Sequence, residues 1–226
     1  MRQIDGLLQI GVNVMKKLYR FFVNLYKPFV NSDDYWKHRY ESGGNSGAGS
    51  YADLSTFKAE VLNAFVLEKN IATVIEYGCG DGNQLSLAQY PSYIGFDISP
   101  KALELCKIRF KDDKSKTFRL MDDYAGEKAE LTLSLDVIYH LIEDAVFNEY
   151  MERLFNSSER FVVIYSSDTD HQRKIQAPHV RHRKFSMWVQ KNRPEWQLLK
   201  HIPNKYPLTV GKSQGSFADF YLYYKI

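Results

Sequence analysis

The residues best suited to chemistry begin at Glu76-Tyr77-Gly78-Cys79-Gly80-Asp81-Gly82, an acid followed by glycines at alternate positions. Glycine lets the backbone turn sharply and leaves no Cβ in the way of a ligand lying on it. Thr73, Val74 and Ile75 before the motif read as a buried strand, and 83–88 after it suits the opening of a helix. Amides at such a helix start attract electron-rich ligand groups. The next apolar segment, Ser92 to Phe96, ends in Asp97. An acid there, about twenty residues into the unit, can accept both hydroxyls of an adenosine ribose. Strand, glycine loop, helix and a second strand ending in an acid make the first half of a nucleotide-binding βαβ unit.

The glycine order departs from the dinucleotide fingerprint G-x-G-x-x-G. It resembles the first motif of class I S-adenosylmethionine-dependent methyltransferases, and Gly95-Phe96-Asp97-Ile98-Ser99-Pro100 is similar to their second. The likeness continues through Phe118-Arg119-Leu120-Met121-Asp122 and Leu133-Ser134-Leu135-Asp136-Val137-Ile138-Tyr139-His140-Leu141. It implies an α/β, Rossmann-like fold: a doubly wound seven-stranded sheet, mostly parallel with an antiparallel last strand. It implies S-adenosyl-L-methionine as cofactor, with Gly78 and Gly80 against it and Glu76 at its amino-acid end. Asp97 would bind the ribose, and Asp122 the adenine amino group, with Met121 and Ile98 packed on the ring. Asp136, ending the fourth strand, joins the same crevice. By chemistry alone Asp123 equals Asp122.

Displacement from an activated sulfonium asks an enzyme mainly to position the acceptor. An oxygen acceptor also needs a base to take its proton. His140, just after the fourth strand, is the candidate, since imidazole is available in its neutral form near pH 7. The alternative is a histidine that caps Asp136 or fills the cleft wall. After the fifth strand come Asp168, Asp170, His171, His179, Arg181, His182 and Arg183. The resemblance assigns this region to the acceptor. Arg181 and Arg183 suit a phosphate or carboxylate; the alternative is a solvated face. His171, His179 and His182 with Asp168 are ligand types a divalent metal takes. Their spacing matches no metal signature, and no metal is expected.

The 226 residues, 44% hydrophobic and 15% aromatic, suffice for one domain with a full core. A net charge of +3 does not mark a nucleic-acid binder. Two cysteines, Cys79 and Cys106, speak for a reduced compartment rather than a disulfide framework. Cys79 reads as a small residue in a tight turn, not as a nucleophile. Nothing reads as a secretory leader, and no apolar run approaches the roughly 20 residues that span a bilayer. The expected location is the cytoplasm. Residues 6–27 place Leu7, Ile10, Val14, Leu18, Phe21 and Leu25 at helical spacing, with Lys16, Lys17, Arg20 and Lys27 among them. Such a helix either packs on the domain or on a second copy, which is favoured, or lies on the anionic inner face of a membrane.

The chain divides into this amphipathic helix, in 1–33, and a single methyltransferase domain, in 34–226. Within the domain, 34–51 joins an aromatic, charged stretch to the glycine-rich Gly43-Gly44-Asn45-Ser46-Gly47-Ala48-Gly49-Ser50. We read it as a lid in preference to a flexible linker. Tyr35, Trp36, Arg39 and Tyr40 would then face cofactor or acceptor. Helices at 54–67, 100–110 and 144–155 alternate with strands at 73–75, 92–96, 117–121, 131–135 and 160–165, which implies a parallel, doubly wound sheet. Strands at 196–202 and 217–226 close it.

The acceptor expected from the polar aromatic lid and the histidines is a small molecule or a glycan, methylated on oxygen. The Trp36–Ser50 wording loosely resembles methyltransferases associated with bacterial surface polysaccharides. A nucleic-acid methyltransferase is disfavoured: Asp136-Val137-Ile138-Tyr139 is not the Asn/Asp-Pro-Pro-Tyr type, and no RNA-binding module is visible. A non-catalytic adaptor is disfavoured by the intact glycine loop and Asp97.

Overall fold

Runs of β-branched, aromatic and leucine residues form seven strands: β1 (Thr73–Tyr77), β2 (Ser92–Asp97), β3 (Lys116–Leu120), β4 (Ala129–Leu135), β5 (Ser158–Ser166), β6 (Trp196–Ile202) and β7 (Asp219–Lys225). The computed structural model describes residues 29–174, 176–208 and 215–226. The expected helix at 6–27 lies outside the described residues. The sheet order is β3-β2-β1-β4-β5-β7-β6. Strands β1 to β5 pair in parallel, whereas β7 runs antiparallel to both β5 and β6. The order reverses between β1 and β4, which opens a crevice at their carboxyl ends.

The helices are α1 (Ser32–Glu41), α2 (Ala52–Glu68), α3 (Pro100–Arg109), α4 (Asp144–Asn156) and α5 (Phe185–Asn192). Strand alternation sends Val74, Leu131, Leu133 and Val163 to one face, where Leu62 and Phe65 of α2 and Leu103 of α3 cover them. Ile75, Val162 and Ile164 go to the other, under Met151 and Leu154 of α4 and Phe185 of α5. Both faces are therefore apolar, as a doubly wound sheet requires.

One local expectation is corrected, and one helix was not expected. Residues 83–88 do not open an α-helix; they make only a three-residue 3₁₀ turn, Leu85–Leu87. Side-chain bonding competes with the helix here: Ser86 Oγ donates back to the Asn83 carbonyl at 2.6 Å, and Gln84 Nε2 donates to Ser55 O. Pro91 also biases Tyr90 away from helical geometry. The loop amides consequently find protein partners rather than pointing from a helix end. Helix α5, in turn, lies in a stretch that carries no expectation above; eight residues are short for a period to show.

Helix α3 is fixed by its cap. Ser99 Oγ accepts from the Ala102 amide at 3.3 Å, and Pro100 stands in the first turn. Ser99→Ala should lower stability by about 0.5–2 kcal/mol. A denaturation midpoint equal to wild type would show that the cap contributes nothing.

Candidate active site

The carboxyl ends of β1, β2 and β4, the turn after β3, and helices α1, α2 and α4 enclose a cavity of about 240 Å³. Its lining includes Glu76, Gly78, Gly80, Asp97, Ile98, Met121, Asp122 and Asp136, together with His140, Trp36 and Tyr40. The crevice thus gathers the eight residues that the resemblance assigns to the cofactor. Asp122, not Asp123, stands in its wall.

Asp97 ends β2 and is buried. Its Oδ2 accepts from the Gly80 amide and its Oδ1 from the Ser99 amide, each at 2.9 Å. Desolvation raises its pKa to about 6, against the pull of those amides. Glu76, at the end of β1, accepts from Tyr93 Oη at 2.7 Å. Burial pushes it up to about 7 despite that bond and the charge of Lys58. Gly78 sits at φ 81°, and a Cβ there would come within 2.5 Å of Val137 Cγ2. Only glycine leaves that part of the cavity open.

Asp136 stands directly after β4 with φ 61°, a left-handed conformation costly for a residue with a Cβ. Its Oδ2 takes the ammonium of Lys58 at 2.7 Å, and its Oδ1 accepts from Tyr139 Oη at 2.7 Å. The Lys58 side chain is only 1% exposed and that of Asp136 11%, so this is a largely buried ion pair.

The short turn after Asp136, Ile138–His140, sets His140 in the cavity wall. Its Nδ1 is 2.8 Å from the His179 carbonyl, so Nδ1 carries the proton and Nε2 is the free acceptor. Desolvation drives the His140 pKa down to about 4. The ring is neutral throughout the physiological range, more firmly than its type alone implies.

The remaining expected contacts divide. Trp36 meets His140 edge-on at 4.8 Å between centroids. Tyr35 lies outside the cavity lining and stacks on His179 at 4.1 Å. Arg39 donates to the Asn45 carbonyl and lies over the Trp36 ring. Arg181 and Arg183 do not form an open anion clamp. They donate to the Ile142 and Leu141 carbonyls and pair with Asp144, and so fasten the loop between β4 and α4. His182 is buried, with Nδ1 2.7 Å from Ser167 Oγ. His171 is exposed. Among the described residues no group of three or more His, Cys, Asp or Glu could hold a metal ion.

Among the cavity residues that were not anticipated are Lys58, Gln84 and Arg153. Lys58 carried a signal: it stands four residues after Leu54 and three before Val61, on the apolar stripe of α2. Gln84 and Arg153 carried none.

The model of a methyltransferase domain matches residues 68–206, more than half of the chain. The protein belongs to the class I S-adenosylmethionine-dependent methyltransferases. No curated protein matches it. Among solved structures, the N-methyltransferase NodS from Bradyrhizobium japonicum WM9, in complex with S-adenosylhomocysteine, is 12% identical with a TM-score of 0.64, over 87% of this chain and 99% of that one. Magnesium protoporphyrin IX methyltransferase from Synechocystis PCC 6803, with bound S-adenosylmethionine, is also 12% identical, TM-score 0.61, over 88% and 100%. Small RNA methyltransferase HEN1 is 16% identical, TM-score 0.57, over 78% of this chain and 26% of that one. These are likenesses of fold.

The buried carboxylate of Glu76 should make the stability of the protein pH-dependent. Its folded pKa lies above the unfolded value, so the folded state keeps a proton that the unfolded state releases. The resulting stability is present below pH 4.5 and is lost as pH rises through about 7. Glu76→Gln should flatten that slope. Urea midpoints at pH 5 and pH 8 should differ less in the variant than in wild type; parallel changes would remove Glu76 as the cause.

Proposed function

We propose that the enzyme methylates a hydroxyl of a small-molecule or glycan acceptor, with His140 as general base. The observation that carries this reading is the His140 tautomer. With Nδ1–H held by the His179 carbonyl, Nε2 stands unprotonated in a cavity walled by Trp36 and Tyr40. S-adenosylmethionine, when bound, supplies a methyl group on an electrophilic sulfonium. In this reading Asp97 holds the ribose, and Asp122, Ile98 and Met121 the adenine end. Asp136 keeps the turn that carries His140 in place. The aromatic rings of Trp36 and Tyr40 offer flat apolar faces to an acceptor such as a sugar ring. His140 Nε2 takes the hydroxyl proton as the oxygen attacks, then releases it to solvent.

Residues 34–51 act as the lid in this reading. Helix α1 and the 3₁₀ turn Ala48–Ser50 lie on the glycine loop through a latch at Asp81. Asp81 Oδ2 accepts from the Ser46 amide at 3.1 Å and from Tyr51 Oη at 2.7 Å. Ser46 Oγ accepts from the Asp81 amide and pairs with Tyr40 Oη. Burial would raise the Asp81 pKa, but the bonds from Tyr51, Asn83 and Ser46 outweigh it and hold it low. A Cβ on Gly80 would strike Ser46 Oγ at 2.3 Å, so lid and loop fit only with glycine there. Among the described residues no helix is long and apolar enough to cross a membrane. A peripheral contact through 6–27 stays part of the proposal.

Labelled methyl from S-adenosylmethionine should enter the small-molecule or glycan fraction of a cell extract, in an oxygen linkage. Label confined to RNA or to nitrogen would overturn the acceptor reading. His140→Ala should lower turnover by roughly 10²–10⁴-fold while cofactor affinity holds. The wild-type rate should stay level from pH 8 down to about 5 and fall toward pH 4, as Nε2 takes a proton. Near-normal turnover in the variant would exclude His140 as the base.

Proteolysis tests the lid. Cleavage in the glycine-rich segment should slow when S-adenosylhomocysteine is added, and Tyr51→Phe should weaken that protection. Equal cleavage with and without the ligand would make the segment a linker.

A further inference from the structure

His140 takes its orientation from a backbone carbonyl, that of His179. A loop carbonyl directs a ring only as firmly as the loop itself is held. Part of that hold is local: the Arg181 amide donates to the Tyr139 carbonyl at 2.8 Å, and the Val180 amide to the Ala177 carbonyl. A further part comes through the ring of His179, and its partner stands on α1. Tyr35 stacks on His179 with centroids 4.1 Å apart and planes 11° from parallel, and Tyr35 Oη lies 3.3 Å from His179 Nε2. The next residue, Trp36, meets His140 edge-on at 4.8 Å. His140 and His179 stack at 5.3 Å, and Tyr35 and Trp36 meet at 5.4 Å. The four rings close a circuit across α1, the turn after β4 and the loop before α5. Of the four, His140 and Trp36 line the cavity, whereas Tyr35 and His179 do not.

The first residue of α1 sets where the circuit forms. The Glu143 carboxylate accepts from the Ser32 amide at 3.1 Å and from Ser32 Oγ at 2.7 Å, and Ser32 Oγ accepts from the Ile142 amide. Ser32 is buried, so this anchor fixes α1 against the loop after β4 and brings Tyr35 and Trp36 to the two histidines one turn on. The circuit also keeps His140 dry, and lost hydration disfavours an imidazolium. Burial is the largest influence on its proton, ahead of the bond to His179. The charged and titratable groups facing it are Arg39 of α1, Asp136 and Tyr139 of its own turn, and His179. Arg39 and His179 oppose a proton there, and Asp136 favours one.

We propose that Tyr35 and the His179 ring are positioning residues for His140: α1 docks through the Tyr35–His179 stack, which holds the His179 carbonyl on Nδ1 and shields the ring so that Nε2 stays a free acceptor. The proposal rests on the reading of His140 as the base and ties α1 to it. Tyr35, outside the cavity, then acts through His179, and contact with the acceptor on this side belongs to Trp36.

Nuclear magnetic resonance of the protein labelled in its imidazoles reads the His140 tautomer and titration with no acceptor present. Wild type should show the Nδ1–H form and titrate near pH 4. Tyr35→Ala should mix the tautomers and raise the His140 pKa by roughly one unit or more, toward the ordinary imidazole value of about 6.5. His179→Ala keeps the carbonyl and removes the ring; it should do the same, and the double variant should add little to either. Tyr35→Phe and His179→Phe keep the stacked rings and should restore the wild-type titration. In turnover, Tyr35→Ala should lower kcat roughly 10–100-fold with little change in the KM of the acceptor. The acid limb of its pH profile should move up with the titration. An unchanged His140 tautomer and titration in the folded alanine variants would overturn the proposal. A raised KM with an unmoved limb would also overturn it, making Tyr35 an acceptor contact. If one alanine variant does not fold, the other decides by the same titration. Normal turnover in His140→Ala beside a shifted titration in Tyr35→Ala would instead refute the base reading and leave the coupling of α1 to His140 standing.

Discussion

One carboxylate holds the site together. Asp97 ends β2, and its two oxygens take the amides of Gly80 and Ser99. It therefore joins the glycine loop after β1 to the amino end of α3. The cost is a buried charge, visible in a pKa raised to about 6. A carboxylate kept this dry with two amides still has lone pairs for further donors, and ribose hydroxyls are donors. The same group that shapes the loop thus keeps acceptor capacity toward the cavity.

The chemical end of the cavity depends on a longer chain of support. His140 is oriented by the carbonyl of His179, which belongs to the loop between β5 and α5. That loop is tied to itself: Gln172 Oε1 accepts from the His182 amide, and Gln172 Nε2 donates to the His182 carbonyl. His182 is in turn anchored on Ser167 at the end of β5. Arg181 and Arg183 fasten the facing loop after β4. The histidines and arginines of this region, which look like acceptor ligands in the sequence, mostly hold the frame around His140. His179 is the exception, since its ring lies against both Tyr35 and His140.

The sheet and the acids and glycines that line the cavity are legible in the sequence because their signals are local. Glycine spacing, strand-ending acids and a Ser-Pro cap each sit within one turn of the backbone they control. The expectation of a helix at 83–88 fails because a glycine loop followed by polar residues can satisfy its amides and carbonyls through side chains as well as through a helix. The contacts at Asp81 were hidden for a different reason: an acid in a glycine loop looks solvated until Ser46 and Tyr51 arrive from another segment. Lys58 marks the boundary. Its place on an apolar stripe is readable, but its partner Asp136 is distant in sequence and only the fold brings them together.

Calorimetric titration of S-adenosylhomocysteine into Asp97→Ala tests most directly the proposal that Asp97 is the ribose ligand of the cavity. Loss of a charge-assisted acceptor should cost on the order of 1.5–3 kcal/mol of binding in a protein that remains folded. Unchanged affinity in a folded variant would contradict the assignment of this crevice to the cofactor.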